Sequence, residues 1–236
     1  MVMDNDDANC RHGVQPTYKK KKGFQPLQMN WGRFIVDAVF RGGDKHSNHG
    51  DSVLNMIRHM VIKIKRDYRW DVPIIIRMDS GFFDQKIFKL CEKLKIGYVC
   101  GGKLYKDIKV LAGTSEDETW TRYCSGKKDC WEYIEFGSKR GNWDRFRRAI
   151  YCRLINNGDQ LYLPGCRPDT VIITNIGQGQ AIDAMLKLIG AEDYLEADSI
   201  VACYHERGSD ELANRALKDF GHEQLLFKRF NPNAAW

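Results

Sequence analysis

The sequence predicts an α/β fold, a mixed sheet with helices packed on its faces and a β-rich insertion before the last helix. Three observations carry this. At 72–100 an apolar β-branched run, an amphipathic helical stretch and a second apolar run succeed one another, the order of a βαβ unit and so of a parallel strand pair. Upstream, apolar-rich runs at 24–29 and 34–40, separated by Asn30, Gly32 and Arg33, read as an antiparallel hairpin. From 103 to 175 strand-like runs alternate with turns, and helical patterning returns only afterwards.

The 236 residues can bury a sizeable core, and 43% hydrophobic with 29% charged residues is a balance that folds rather than one that stays disordered. Lys and Arg exceed Asp and Glu by 37 to 31, a net charge of +6 that favours a polyanionic partner. No apolar run reaches the roughly 18 residues of a membrane span, and residues 1–7 are acidic with no signal-peptide core, so a cytoplasmic protein is expected. The eight cysteines, at 10, 91, 100, 124, 130, 152, 166 and 203, form no C-x-x-C pair and are expected to be reduced structural thiols. A zinc site built from Cys124, Cys130 and a distant His fits poorly, because zinc modules supply ligands as close pairs.

Along the chain, residues 1–4 read as the end of a strand, with Asp4, Asp6 and Asp7 just after it, and a basic tract at 19–22 precedes the hairpin. From 52 to 68, Val53, Ile57, Met60, Val61, Ile64 and Tyr68 recur at three- and four-residue steps, a helix with one apolar face capped by Asp51 or Ser52. Residues 72–76 form an almost wholly apolar strand, with Pro73 tolerated at its start. A helix at 84–95, with Ile87, Phe88, Cys91 and Leu94 inward, leads to a strand at 96–100. Strand-like runs follow at 131–136, 149–155, 160–163 and 171–174, then helical patterning at 180–189 and 200–220. The expected organisation is a core in two parts, 1–102 and 179–236, interrupted by a β-rich insertion at 103–178.

Two places could carry chemistry. Asp79 lies where an apolar strand gives way to Ser80 and Gly81, and in open α/β sheets ligands bind at the carboxyl ends of strands. A turn Asp that accepts backbone N–H bonds is the alternative. In the last helix Tyr204, Arg207, Glu211 and Lys218 stand at offsets of 0, 3, 7 and 14, which places them within about a 60° arc of one face. A solvated face with Arg207 and Glu211 as an i, i+4 pair is the competing reading there.

Tyr, two residues, Arg, three residues, Glu, six residues, Lys is similar to the signature of a large group of bacterial insertion-sequence transposases of the DDE class. The stretch Asp79, Ser80, Gly81, Phe82 resembles the surroundings of that family's second catalytic aspartate, and Asp4 resembles the first, with Asp6 as substitute. The segments 23–27 and 40–44 also resemble stretches between the first two acids, so the likeness covers nearly the whole chain. It implies an RNase H-like core, with the first acid on the first strand, the second after the fourth, and the third on a helix beyond an inserted β domain.

The resemblance further implies that Asp4, Asp79 and Glu211 are the catalytic acids and metal ligands. Attack on a phosphodiester needs charge neutralisation at phosphate and an activated water or 3′-hydroxyl, which two divalent ions about 4 Å apart supply. Three carboxylates without Cys or His suit Mg²⁺, with Mn²⁺ as substitute. Tyr204, Arg207 and Lys218 are then DNA-binding residues, Arg207 and Lys218 holding phosphates. Lys19, Lys20, Lys21, Lys22, Lys139, Arg140, Arg145, Arg147 and Arg148 are expected to add backbone contacts, and Trp143 and Phe146 to stack on an unpaired base. The implied activity is DNA cleavage at transposon ends and 3′-hydroxyl strand transfer into target DNA. The implied full-length enzyme is a homodimer at the bacterial nucleoid, of which this chain is expected to lack both ends. Competing readings are an RNase H-like nuclease without strand transfer, and an inactive fragment that only binds DNA or protein.

Overall fold

A computed structural model describes residues 12–17, 20–116, 119–125, 129–157, 160, 161, 169–206 and 229–231. The chain divides into two compact units, Met1–Lys63 with Glu206–Trp236, and Ile64–His205.

In the first unit, β1 (Gln15–Pro16) pairs antiparallel with β2 (Lys22–Gly23). The predicted hairpin is present as β3 (Leu27–Trp31) and β4 (Phe34–Val39), closed by Gly32 and Arg33, with Gly32 at φ 56° where a residue with a Cβ is strained. Phe24, read as part of the first strand, instead precedes it, fully buried and stacked on Phe40 at 4.8 Å; both rings meet Phe230. Arg41 is buried beside them. Its guanidinium donates to Gln25 O, Ser47 O and Ser52 Oγ, and burial pulls its pKa below the ordinary value. Helix α1 (Ser52–Asp67) buries Val53, Met56, Ile57 and Val61, a stripe shifted from the predicted one in that Met56 is inside and Tyr68 outside.

The second unit is built on one seven-stranded mixed sheet. β5 (Ile75–Met78) is followed by α2 (Gln85–Lys93) and then by β6 (Gly97–Gly101), which pairs parallel with β5, the predicted βαβ unit. Asp84 caps α2, its side chain accepting from Lys86 N–H at 2.8 Å. Next comes a helix, α3 (Lys106–Thr114), inside the stretch that reads as β-rich; Ile108 and Ala112, one turn apart, are its buried face. β7 (Thr121–Ser125), β8 (Asp129–Ser138), β9 (Arg147–Asn157), β10 (Gln160–Leu161) and β11 (Thr170–Thr174) then form antiparallel pairs. The order is β5-β6-β11-β9-β8-β7, with β10 against β9, and β11 joins this array to β6 antiparallel.

Side chains alternate across the sheet and so select what covers each face. Val99, Ile150, Cys152 and Ile172 point to α4 (Ala181–Leu188) and α5 (Ala197–His205), whose Ile182, Leu186, Ile200, Val201 and Tyr204 complete one core. Tyr98 and Arg147 point to the other face, where Phe88 of α2 stacks on Tyr98 at 4.6 Å. The Arg147 guanidinium, 0% exposed, lies 5.5 Å from the ring of Phe88 and 5.2 Å from that of Trp143. Its Nε donates to Tyr98 Oη, and its Nη2 sits 3.0 Å from Glu92 Oε1 without the alignment of a hydrogen bond, an ion pair by charge alone.

Candidate active site

Asp79 follows β5 directly. Its backbone is extended (φ −80°, ψ 176°), and its carboxylate caps the 3₁₀ turn Ser80–Phe82 by accepting from Gly81 N–H at 2.8 Å. The turn role and the strand-end location therefore coincide. Beneath the turn, on β6, the Cys100 thiol reaches Asp79 O at 3.5 Å; burial, and then the negative charge of Asp79, push this thiol above its ordinary range.

Gly101, the next residue on β6, is where the second strand, the Asp79 turn and α5 meet. A Cβ built there would lie 2.6 Å from Tyr204 Oη and 2.9 Å from Ser80 N, so no larger residue fits without movement. The hydroxyl of Tyr204 and the amide of Ser80 thus both lie against Gly101, while Tyr204 is 7% exposed in the α4–α5 core. Helix α5 is tied at both ends to the sheet. Tyr133 of β8 donates to Asp198 at 2.7 Å in its first turn, and Arg77 of β5 donates to the Cys203 carbonyl at 2.9 Å in its last, serving one of the carbonyls a helix end leaves unpaired. His205 closes the helix, stacked on Trp131 at 4.6 Å.

Of the predicted acids, only Asp79 lies among the described residues; Asp4, its substitute Asp6, and Glu211 lie outside them, as do Arg207 and Lys218. Among the described residues no group of three or more His, Cys, Asp or Glu is placed to hold a metal ion. Asp79 suits a hard cation by the chemistry of its donor, a carboxylate oxygen.

The predicted basic and aromatic contacts divide. Lys20, Lys21, Lys22, Lys139, Arg145 and Phe146 are exposed, whereas Lys19 lies outside the described residues. Trp143 and Arg147 are buried against Phe83 and Phe88, so neither can stack on a base or reach a phosphate; the mixed run that reads as surface turns inward at β9. Arg148 is held by Glu135 and by the carbonyls of Ile176 and Leu195, and Arg140 by Asp107 and the ring of Tyr105. The thiol expectation is corrected for Cys124 and Cys130, which sit opposite each other on β7 and β8 and form a disulfide. Cys91, Cys100 and Cys152 are buried free thiols.

The family profile described as transposase DDE domain group 1 matches residues 1–236. The chain belongs to this DDE transposase family. Membership supports a transposase-type function and implies DNA as the partner. No curated protein matches the chain. Among the described residues no helix is long and apolar enough to cross a membrane. Sequence reasoning placed Asp79 at the end of an apolar strand, where it stands, but did not single out Gly101, packed between the Asp79 turn and α5, or Arg77, which ties β5 to α5; a glycine at the end of an otherwise apolar strand was the available signal.

Proposed function

We propose that this DDE transposase domain cuts DNA at the ends of a bacterial insertion sequence and joins the 3′-hydroxyl to target DNA. The observation that carries the reading is the match of the family over the whole chain, with Asp79 standing at the carboxyl end of β5. In this reading Asp4, Asp79 and Glu211 hold Mg²⁺, or Mn²⁺ in its place. Such ions neutralise charge at the scissile phosphate and lower the pKa of the attacking water or hydroxyl. Asp79 contributes a carboxylate whose direction is set in advance by its bond to Gly81 N–H, so little reorganisation accompanies binding.

Arg207 grips phosphate through its fork of donors and Lys218 as a point charge. Tyr204, largely buried, offers the same strand no more than its hydroxyl edge. Residues 103–178 are an insertion within a catalytic core formed by 1–102 and 179–236, and the active assembly is a homodimer on nucleoid DNA.

The test is Mn²⁺ titration calorimetry and Mg²⁺-dependent cleavage and strand transfer, in wild type and in Asp79→Asn and Glu211→Gln variants. Asparagine can still accept from Gly81 N–H, so the turn survives while the ligand charge is lost. Both variants are expected to weaken metal binding and to lose cleavage and joining together. Cleavage by either variant at the wild-type rate would overturn the assignment.

A further inference from the structure

The tip of the β3–β4 hairpin carries two large aromatic residues in water. Trp31 is 77% and Phe34 61% exposed, and they are register partners across the last rung, so both rings lie on one face of the ribbon. Between them Gly32 and Arg33 make the turn, and the Arg33 guanidinium lies 5.2 Å from the Phe34 ring centroid. A two-residue turn requires glycine or a small polar residue, not Trp and Phe beside it. Their contact with each other recovers only part of what burial would give.

The unit that carries this tip is cationic. Over residues 1–63 and 206–236 it holds 15 Lys and Arg against 11 Asp and Glu. Of these acids the one on the hairpin, Asp37, accepts from Ala38 N–H at 2.9 Å and lies 3.6 Å from His59 Nδ1. The complement of such a surface is a polyanion. Three residues on a convex turn also give far less than the roughly 800 Å² per partner of a stable protein interface, but they match the footprint of one or two bases.

We infer that Trp31 and Phe34 are a stacking platform for unpaired bases of DNA, with Arg33 on a phosphate of the same strand. The inference rests on the reading that the chain acts on DNA. Every base has a π-face and every nucleotide a phosphate, so the platform selects unpaired strand over duplex and is indifferent to sequence.

The experiment is fluorescence anisotropy with a labelled oligothymidine and a duplex of equal length, on the full chain. Wild type is compared with Trp31→Ala/Phe34→Ala, Trp31→Phe and Arg33→Ala, each checked for an unchanged melting curve and for sedimentation. The double variant is expected to bind the single strand roughly 5- to 100-fold more weakly, with a much smaller loss on duplex. Trp31→Phe should retain most affinity, and Arg33→Ala should reduce the salt slope on single strands by about 0.7. Equal losses on both DNAs, or none, would overturn the platform while leaving the transposase reading intact. So would a double variant that binds DNA normally but sediments as a smaller species, which marks the tip as a contact between copies. Wild type without affinity for either DNA would overturn both readings at once.

Discussion

Replacing Gly101 by alanine should damage the Asp79 turn without removing any charged group. The new Cβ would stand 2.6 Å from Tyr204 Oη and 2.9 Å from Ser80 N. Ordinary contact begins near 3.4 Å, so the shortfalls are about 0.8 Å (3.4 less 2.6) and 0.5 Å (3.4 less 2.9). The first neighbour is anchored in the α4–α5 core and the second is backbone next to Asp79, so neither can retreat freely. Overpacking of this size costs about 1–3 kcal/mol, or a fall in Tm of about 2–10 °C for a chain of this length. Gly113 in α3 is the control, because a Cβ there meets nothing within 4 Å and alanine is the better helix former. The assay is thermal melting together with Mg²⁺-dependent cleavage. Gly101→Ala should lower both, Gly113→Ala neither, and adding Tyr204→Phe to Gly101→Ala should restore part of the lost Tm by removing the closer atom. An unchanged Tm and full activity in Gly101→Ala would refute the packing of turn, strand and helix described above.

Asp79→Ala should cost about 1 kcal/mol through loss of the cap to Gly81 N–H, and Asp79→Asn much less; equal urea midpoints for the two would contradict the capping role. Arg147→Ala should cost about 3–5 kcal/mol because the largely buried Glu92 loses the guanidinium 3.0 Å away and Tyr98 Oη loses its donor, and a loss under about 1 kcal/mol in urea unfolding would count against it. Reduction of Cys124–Cys130 should lower stability by about 2 kcal/mol, the chain-entropy value for so short a loop, and peptide mapping without reductant should find the two joined. Burial raises the Cys91 thiol to about 12 and lifts Cys100 and Cys152 as well. The unfolded chain gives up these protons first, so the stabilisation is complete below the unfolded thiol value near 9 and is lost as pH rises from there towards 12. A urea midpoint as high at pH 10 as at pH 7.5, or rapid alkylation of all three thiols in the native state, would exclude it.

The hairpin, the βαβ unit and the sheet-covering helices were legible because each has one side wet or a clear change of period. Asp79 was legible because the end of an apolar strand is a defined place. What could not be read depends on partners far away in sequence. Helix α3 is short and half exposed, so its two buried positions, Ile108 and Ala112, give too little periodicity to stand out from the turns around it. β7 has no two-residue alternation, Tyr123 and Cys124 standing side by side among polar residues, and gains its strand character from pairing with β8. Trp143 and Arg147 belong to a run of arginines that reads as solvated, and only the two-residue phase of β9 puts 147 with Ala149 and Tyr151 against the α2 face. The disulfide was not legible because two cysteines six residues apart become neighbours only once β7 pairs with β8.

The ion pair of Arg147 with Glu92 bears on how the second unit can be taken apart. Glu92 arrives with the helix of the βαβ unit and Arg147 with the first residue of β9, so each contributes half of a neutral pair that the other must complete. A βαβ fragment made without β9 leaves Glu92 with Tyr98 Oη as donor but without the Arg147 guanidinium, and an antiparallel array made alone leaves Arg147 with Asp144 but without Glu92. A shortened version of the protein that dispenses with the β8–β9 ribbon would lose the cation facing Glu92 and the donor to Tyr98 Oη.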